Sequence, residues 1–337
     1  MTATEQLPAL ADAEAPARRA KPTSGGWRIV AAKEFGDGLL SIRFLILLVL
    51  VALVALLAVS SAAGNIRQVA SDASEDVSPF LRLFTLSPRF LSFFTMVGFL
   101  GPLLGIAFGF DAINNERTNS TLPRLVSQPI YRDDVINGKF AAGLSLISIT
   151  LVMLTMLVTG LGIFRLGLAP TAGEAARLVL FVMLSIVYVG LWLAVAILAS
   201  VVFRRAATSA LVTLAVWLVF TTYSALIVQV TVDYLAPLPA ENPSVEQVLD
   251  NARLERNISR LSPQKLYEEA SQAILDPELR TFDQVLLRED IDRAVPGTLT
   301  LPQSLLVAWP QVTALGAMIV VLFAGAYLAF MRQEIRA

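Results

Sequence analysis

Cysteine and histidine are both missing from the 337 residues. Without cysteine the chain has no disulfide, no thiol nucleophile and no thiolate metal site, and its redox compartment cannot be read. Without histidine it lacks the usual general base at neutral pH and the commonest transition-metal ligand. A Ser–His–Asp hydrolase, a zinc enzyme and a haem protein are therefore poor readings. Charge is scarce as well: Asp, Glu, Lys and Arg make up 16%, against about a quarter in soluble domains. The net charge of −1 and the isoelectric point of about 5.7 offer no basic face to a nucleic acid. What the chain has instead is apolar residues, at 55%, with a mean hydropathy of +0.67. That balance describes a membrane protein.

The first residues, 1–26, are rich in Ala, Pro and charge and carry no apolar core, so a disordered cytoplasmic tail is expected. No 7–15-residue apolar stretch follows a basic start, so a secretory signal is not expected. In 27–43, Trp27, Val30, Ala31, Phe35, Leu39 and Ile42 recur at helical spacing between charged residues. Such a pattern suits a helix lying in the membrane interface, or a short helix packed on cytoplasmic loops.

Six apolar segments follow, near 44–63, 89–110, 140–164, 178–203, 206–231 and 309–331, each free of charge away from its ends. At 1.5 Å per residue, about 20 residues cover the roughly 30 Å hydrocarbon core. Six crossings leave both termini on one side. Short segments on that side hold fourteen Lys and Arg, against five on the other. Both termini and the 111–139 loop are thus expected in the cytoplasm, with the protein multi-pass in the plasma (inner) membrane. The expected fold is an all-α integral membrane protein with an N-terminal interfacial helix. Interfacial helix and spans one to five occupy 27–231, and the sixth span with a short tail occupies 309–337. Between them, 232–308 carries thirteen acidic and seven basic residues and two helical patterns, so a small helical extracytoplasmic domain is expected there. Ser262 before Pro263 makes a cap and first-turn pair.

Ion-coupled carriers keep ionisable residues inside the bilayer. These spans offer mostly hydroxyls, amides and aromatics, so the power for any movement is expected from outside the bilayer. The fifth span is the most polar; Thr221, Thr222, Tyr223 and Gln229 either bond between helices or line a translocation path. In the second span, Gly101, Gly105 and Gly109 are four apart, giving one smooth face for helix packing, or for a dimer or gating seam. Pro102 is expected to kink that helix or mark a junction.

The loop after the second span, "FDAINNERTNSTLPRLVSQPIYRDDVINGKF" (110–140), is polar and compact between two apolar runs. Its charges alternate in sign, and Leu122, Leu125, Val126, Ile130, Val135 and Ile136 are spaced for short helices, with Pro129 as a break. Physics alone leaves two readings, a docking surface or a solvated tether. The order Glu116-Arg117, Ser120-Thr121-Leu122, Leu125-Val126-Ser127-Gln128-Pro129, Arg132 and Gly138-Lys139 resembles the permease subunits of type-2 export ABC transporters. So do Lys33-Glu34-Phe35 ahead of the first span and "LSPQKLYEEA" (261–270) before the last.

The resemblance implies a six-span subunit paired with a second permease copy or a related one. Separate ATPase subunits, which carry the ATP and magnesium, would dock on the coupling loop through Glu116, Arg117, Thr121, Leu122, Leu125, Pro129 and Arg132. No nucleotide site is expected in this chain. A P-loop needs Gly, four residues, then Gly-Lys-Ser/Thr, whereas Gly138-Lys139 is followed by Phe140 and preceded at that spacing by Asp133. Three readings compete. The first is the permease of an ATP-driven exporter. The second is a mechanotransmitter acting on an extracytoplasmic protein through 232–308. The third, an ion-coupled carrier or intramembrane enzyme, is opposed by the charge-free spans. No catalytic or metal-binding residue is expected.

Overall fold

The computed structural model describes residues 25–69, 80–85, 92–118, 131–167, 169–239, 244–277 and 299–333. Among them there is no strand. The chain opens with α1 (Gly26–Leu39), α2 (Ile42–Val69) and the single turn α3 (Arg82–Thr85). Next come α4 (Phe93–Gly109), a short α5 (Asn114–Thr118), and the two long helices α6 (Arg132–Leu166) and α7 (Ala172–Val202). A broken helix follows, made of α8 (Ala206–Leu218), a π-helical turn (Val219–Tyr223) and α9 (Ser224–Leu235). Helices α10 (Val245–Ser259), α11 (Pro263–Leu275) and α12 (Leu301–Arg332) complete the described chain.

Five helical stretches are long and apolar enough to cross a membrane, and up to six if the bent pair α1–α2 forms one span. That pair turns through 63°. Ser41 sits at the elbow, donating its hydroxyl to Gly38 O (2.7 Å) and accepting the Phe44 N–H (3.2 Å). It therefore closes the end of α1 and caps the start of α2.

Helix α7 is the axis of the bundle. Phe181, Tyr188, Val189, Trp192, Leu193, Ile197 and Val201 are all at most 1% exposed, so most of its surface is packed, while Val179, Met183 and Val202 stay exposed. Its start is fixed by a capping box between Thr171 and Glu174. Lipid tails are as apolar as leucine, so close packing and satisfied polar groups hold such helices together. Helix α4 meets both conditions against α7. A Cβ placed on Gly101, Gly105 or Gly109 would stand 2.8 Å from Val189 Cγ2, 2.6 Å from Val189 O and 2.6 Å from Ala196 Cβ respectively. Only glycine lets the backbones approach that far.

Of the two expectations for Pro102, the junction is not seen: it lies inside α4, and the helix runs on through it. Proline cannot donate to the carbonyl four residues back, which leaves Gly98 O free. The Tyr188 hydroxyl of α7 donates to that oxygen at 2.8 Å. The orphaned acceptor is thus satisfied inside the bundle, as the bilayer demands.

The segment 232–308, read from sequence as a separate domain, forms its two helices, but α11 does not stand apart. Leu266, Tyr267, Ala270, Ala273, Ile274 and Leu275 are buried in the main core. Tyr267 stacks on Tyr188 with ring centroids 4.3 Å apart, and its hydroxyl lies 2.9 Å from Ser185 Oγ. Burial raises the Tyr267 phenol well above its ordinary pKa, so it stays a neutral hydrogen-bonding partner. Arg177, buried near the start of α7, donates to Ile274 O (2.8 Å), Leu299 O (2.6 Å) and Ser304 Oγ (2.9 Å). One guanidinium therefore ties α7, α11 and α12 together. The small residues of "EEASQAIL" make this insertion possible, because they let a short helix sink between longer ones. Helix α10, with no buried residue, stays outside.

Candidate functional site

The site is built where α1, α4–α5, α6, α7 and α12 meet at one end of the bundle. Lys139 lies in the second turn of α6 with its side chain 5% exposed. A lysine so placed needs opposite charge, because the interior does not solvate an ammonium. It finds two carboxylates, Glu34 of α1 at 2.9 Å and Glu116 of α5 at 3.2 Å. The residue before it, Gly138, lets α1 come close: a Cβ there would meet Val30 Cβ at 2.6 Å and Trp27 O at 2.8 Å. Asp134 completes the seam. Its carboxylate accepts the Tyr131 N–H (3.1 Å) at the start of α6 and the Trp27 N–H (3.0 Å) at the start of α1. A carboxylate between two helix N-termini is favoured by both dipoles.

The two arginines of the expected coupling set point the other way, to helix C-termini. Arg117 donates to Val201 O at the end of α7 (3.2 Å) and to the Gln333 side-chain oxygen just past α12. Arg132 donates to Gln333 O (2.9 Å) and Phe330 O (3.4 Å) at the end of α12, with its guanidinium 5.7 Å from the Phe330 ring centre. Gln333 Nε2 in turn donates to Val201 O (2.7 Å). Carbonyls left over at helix ends are good acceptors for cations. The Ser200 hydroxyl of α7 accepts the backbone N–H groups of Ile113 (3.0 Å) and Asn114 (3.2 Å), so the turn into α5 is pinned to α7 directly. Arg43 pairs with Asp111 at the rim and lies over Phe110.

Of the seven expected coupling residues, Glu116, Arg117 and Arg132 are thus brought into one hub, each gripping a different helix. Thr121, Leu122, Leu125 and Pro129 fall outside the described residues. The sequence reading gave no role to Glu34, Asp134, Gly138, Lys139, Ser200 or Gln333. A lysine at the mouth of a charge-free apolar run was the available signal, since such a residue implies a buried partner. Gly138 and Glu34 belong to the stretches that carry the family resemblance, though nothing there pairs them, and Asp134, Ser200 and Gln333 carry no signal in a single sequence.

The four residues named for a path separate. Thr221 and Gln229 line a cavity of about 620 Å³ between the broken helix, α10 and α11. Thr222 and Tyr223 are exposed on the outer surface. Thr213 and Thr231 bond their own helix, to Ser209 O and Ile227 O, rather than a neighbour. Among the described residues no group of three or more carboxylates could hold a metal ion.

An all-helical bundle with several membrane-length helices, its loop end laced by charged residues, defines an integral membrane component. The chain matches the model of the family described as ABC-2 family transporter protein over residues 28–335, and it belongs to that family of ABC-2 type permeases. None of the curated proteins compared with it matches.

Proposed function

We propose that this chain is the permease subunit of an ATP-driven ABC exporter. It spans the membrane six times with both described ends in the cytoplasm, and it pairs with a second permease, identical or related. Separate ATPase subunits grip the loop after the second span. The observation that carries this reading is the hub around Lys139. The residues that resemble the family's coupling element hold five helices by charge and hydrogen bonds, so a push on the 119–130 stretch reaches α1, α6, α7 and α12 together. The ends of α4 and α12 and the starts of α1 and α6 lie at this same face, which the distribution of Lys and Arg assigns to the cytoplasm.

The test has two parts. The chain purified from native membranes carries an ATPase, and the complex hydrolyses ATP while the chain alone does not. Glu116→Lys or Arg117→Glu then leaves insertion intact while ATP hydrolysis no longer drives activity. Recovery of the chain with no ATPase bound, or full activity in both reversals, refutes the assignment.

A second reading is favoured by the burial of α11. Because Tyr267 and Arg177 fasten this helix to α7 and α12, movement of the bundle also moves α10 and the segment around it. A mechanotransmitter would use that link to work on an extracytoplasmic protein without passing a substrate. Crosslinks from α10 to such a protein, together with vesicles that show no transport, decide for it.

A further inference from the structure

The cavity at the far end of the bundle from the hub has a chemistry of its own. It lies beside the break in the fifth span, where the π-helical turn Val219–Tyr223 interrupts the α-helix. Such turns are rare and are frequent at functional sites. The Ser262 hydroxyl donates to the carbonyl of Phe220 in the turn (3.2 Å), which holds α11 against the break. Two wall residues have buried polar atoms with no hydrogen-bond partner among the described residues, Thr221 Oγ1 and Gln264 Oε1. Native proteins leave few such atoms unpaired, and those that remain call for an explanation.

The walls are two-sided. Ala225, Val228 and Val232 give an apolar strip, while Asp233, Glu255 and Glu268 supply three carboxylates against the single ammonium of Lys265. Asp233 and Glu255 are exposed, and neither makes an ion pair among the described residues. The geometry points to a binding site for an organic cation bearing an apolar arm, the cation facing Asp233 and Glu255 and the arm lying on the Val228 strip. The excess of negative charge favours cations and repels anions of the same shape. This assignment deepens the permease reading by naming a ligand class, but its test needs no ATPase, so each can fail without the other.

The experiment uses the full chain in lipid nanodiscs and two probes of matched size and opposite charge, tetraphenylphosphonium and tetraphenylborate, with empty discs as background. The phosphonium binds saturably and the borate does not. Asp233→Asn with Glu255→Gln weakens the phosphonium by about tenfold. Lys265→Gln strengthens it by about threefold, and a gain cannot come from misfolding. At a fixed share of phosphatidylglycerol, exchanging an uncharged glycolipid for phosphatidylethanolamine weakens phosphonium binding if a lipid ammonium also enters, and leaves it unchanged if only free cations do. Equal binding of both probes overturns the assignment. So does phosphonium binding no greater than in empty discs, or indifference to all three substitutions.

Discussion

At the scale of the residue, Lys139 decides the character of the hub. It carries one positive charge between two carboxylates, at 2.9 and 3.2 Å, in a place where its own side chain is 5% exposed. Breaking a buried pair by removing one partner is severe, because the other charge is left without compensation. Lys139→Met is therefore expected to lower stability by about 3 kcal/mol. The far more exposed pair Lys33–Asp37, at 3.3 Å, contributes under about 1 kcal/mol and its loss goes almost unseen. Unfolding midpoints of the two variants in the same detergent make the comparison. Lys139→Glu combined with Glu116→Lys recovers part of the loss, since the pair is restored with reversed sign while Glu34 now faces a like charge. A double variant no better than the sum of the singles would deny the coupling.

At the scale of the element, the question is which helix contacts depend on a missing side chain. Alanine is a better helix former than glycine by about 1 kcal/mol, so Gly→Ala stabilises wherever the Cβ has room. Gly316 of α12 has nothing within 4 Å of that position, and Gly316→Ala is expected to raise the unfolding midpoint slightly. Gly105→Ala should do the opposite. Its Cβ would stand 2.6 Å from Val189 O and 2.8 Å from Leu193 N. Backbone atoms cannot rotate away, so overpacking of about 1–3 kcal/mol outweighs the propensity gain. The Tyr188 hydroxyl gives an independent reading of the same interface. Tyr188→Phe keeps the ring stack on Tyr267 but leaves Gly98 O without its donor, which destabilises by about 1–3 kcal/mol. If Tyr188→Phe matches the parent chain, the account of how α4 runs through Pro102 is wrong.

At the scale of the whole molecule, the sequence made some things legible and hid others for physical reasons. The apolar runs gave the long helices because membrane-length hydrophobicity is a one-dimensional property. The spacing of Gly101, Gly105 and Gly109 marked a smooth face, though only the fold names α7 as the helix that fills it. The burial of α11 was not legible, because a buried amphipathic helix and a helix of a small outer domain share one pattern. Lys139 and Glu34 lie more than a hundred residues apart, and nothing in a single sequence pairs them. In the proposed coupling role, that long-range closure would let the chain act as one lever. The absence of cysteine allows the lever to be tested with an introduced pair. Asn114 and Ser200 stand at the junction of α5 and α7, where the Ser200 hydroxyl accepts the Asn114 backbone N–H at 3.2 Å; formation of the bridge is itself checked by mass spectrometry before the assay. With Asn114→Cys and Ser200→Cys oxidised, α5 is fixed to the end of α7 and the loop can no longer move against the bundle. ATPase subunits are expected to stay bound and to go on hydrolysing ATP, while the driven activity stops and returns on reduction. Activity that persists in the oxidised form would mean that the junction between α5 and α7 does not move during the cycle, and that force enters the bundle through α1 and α6 alone.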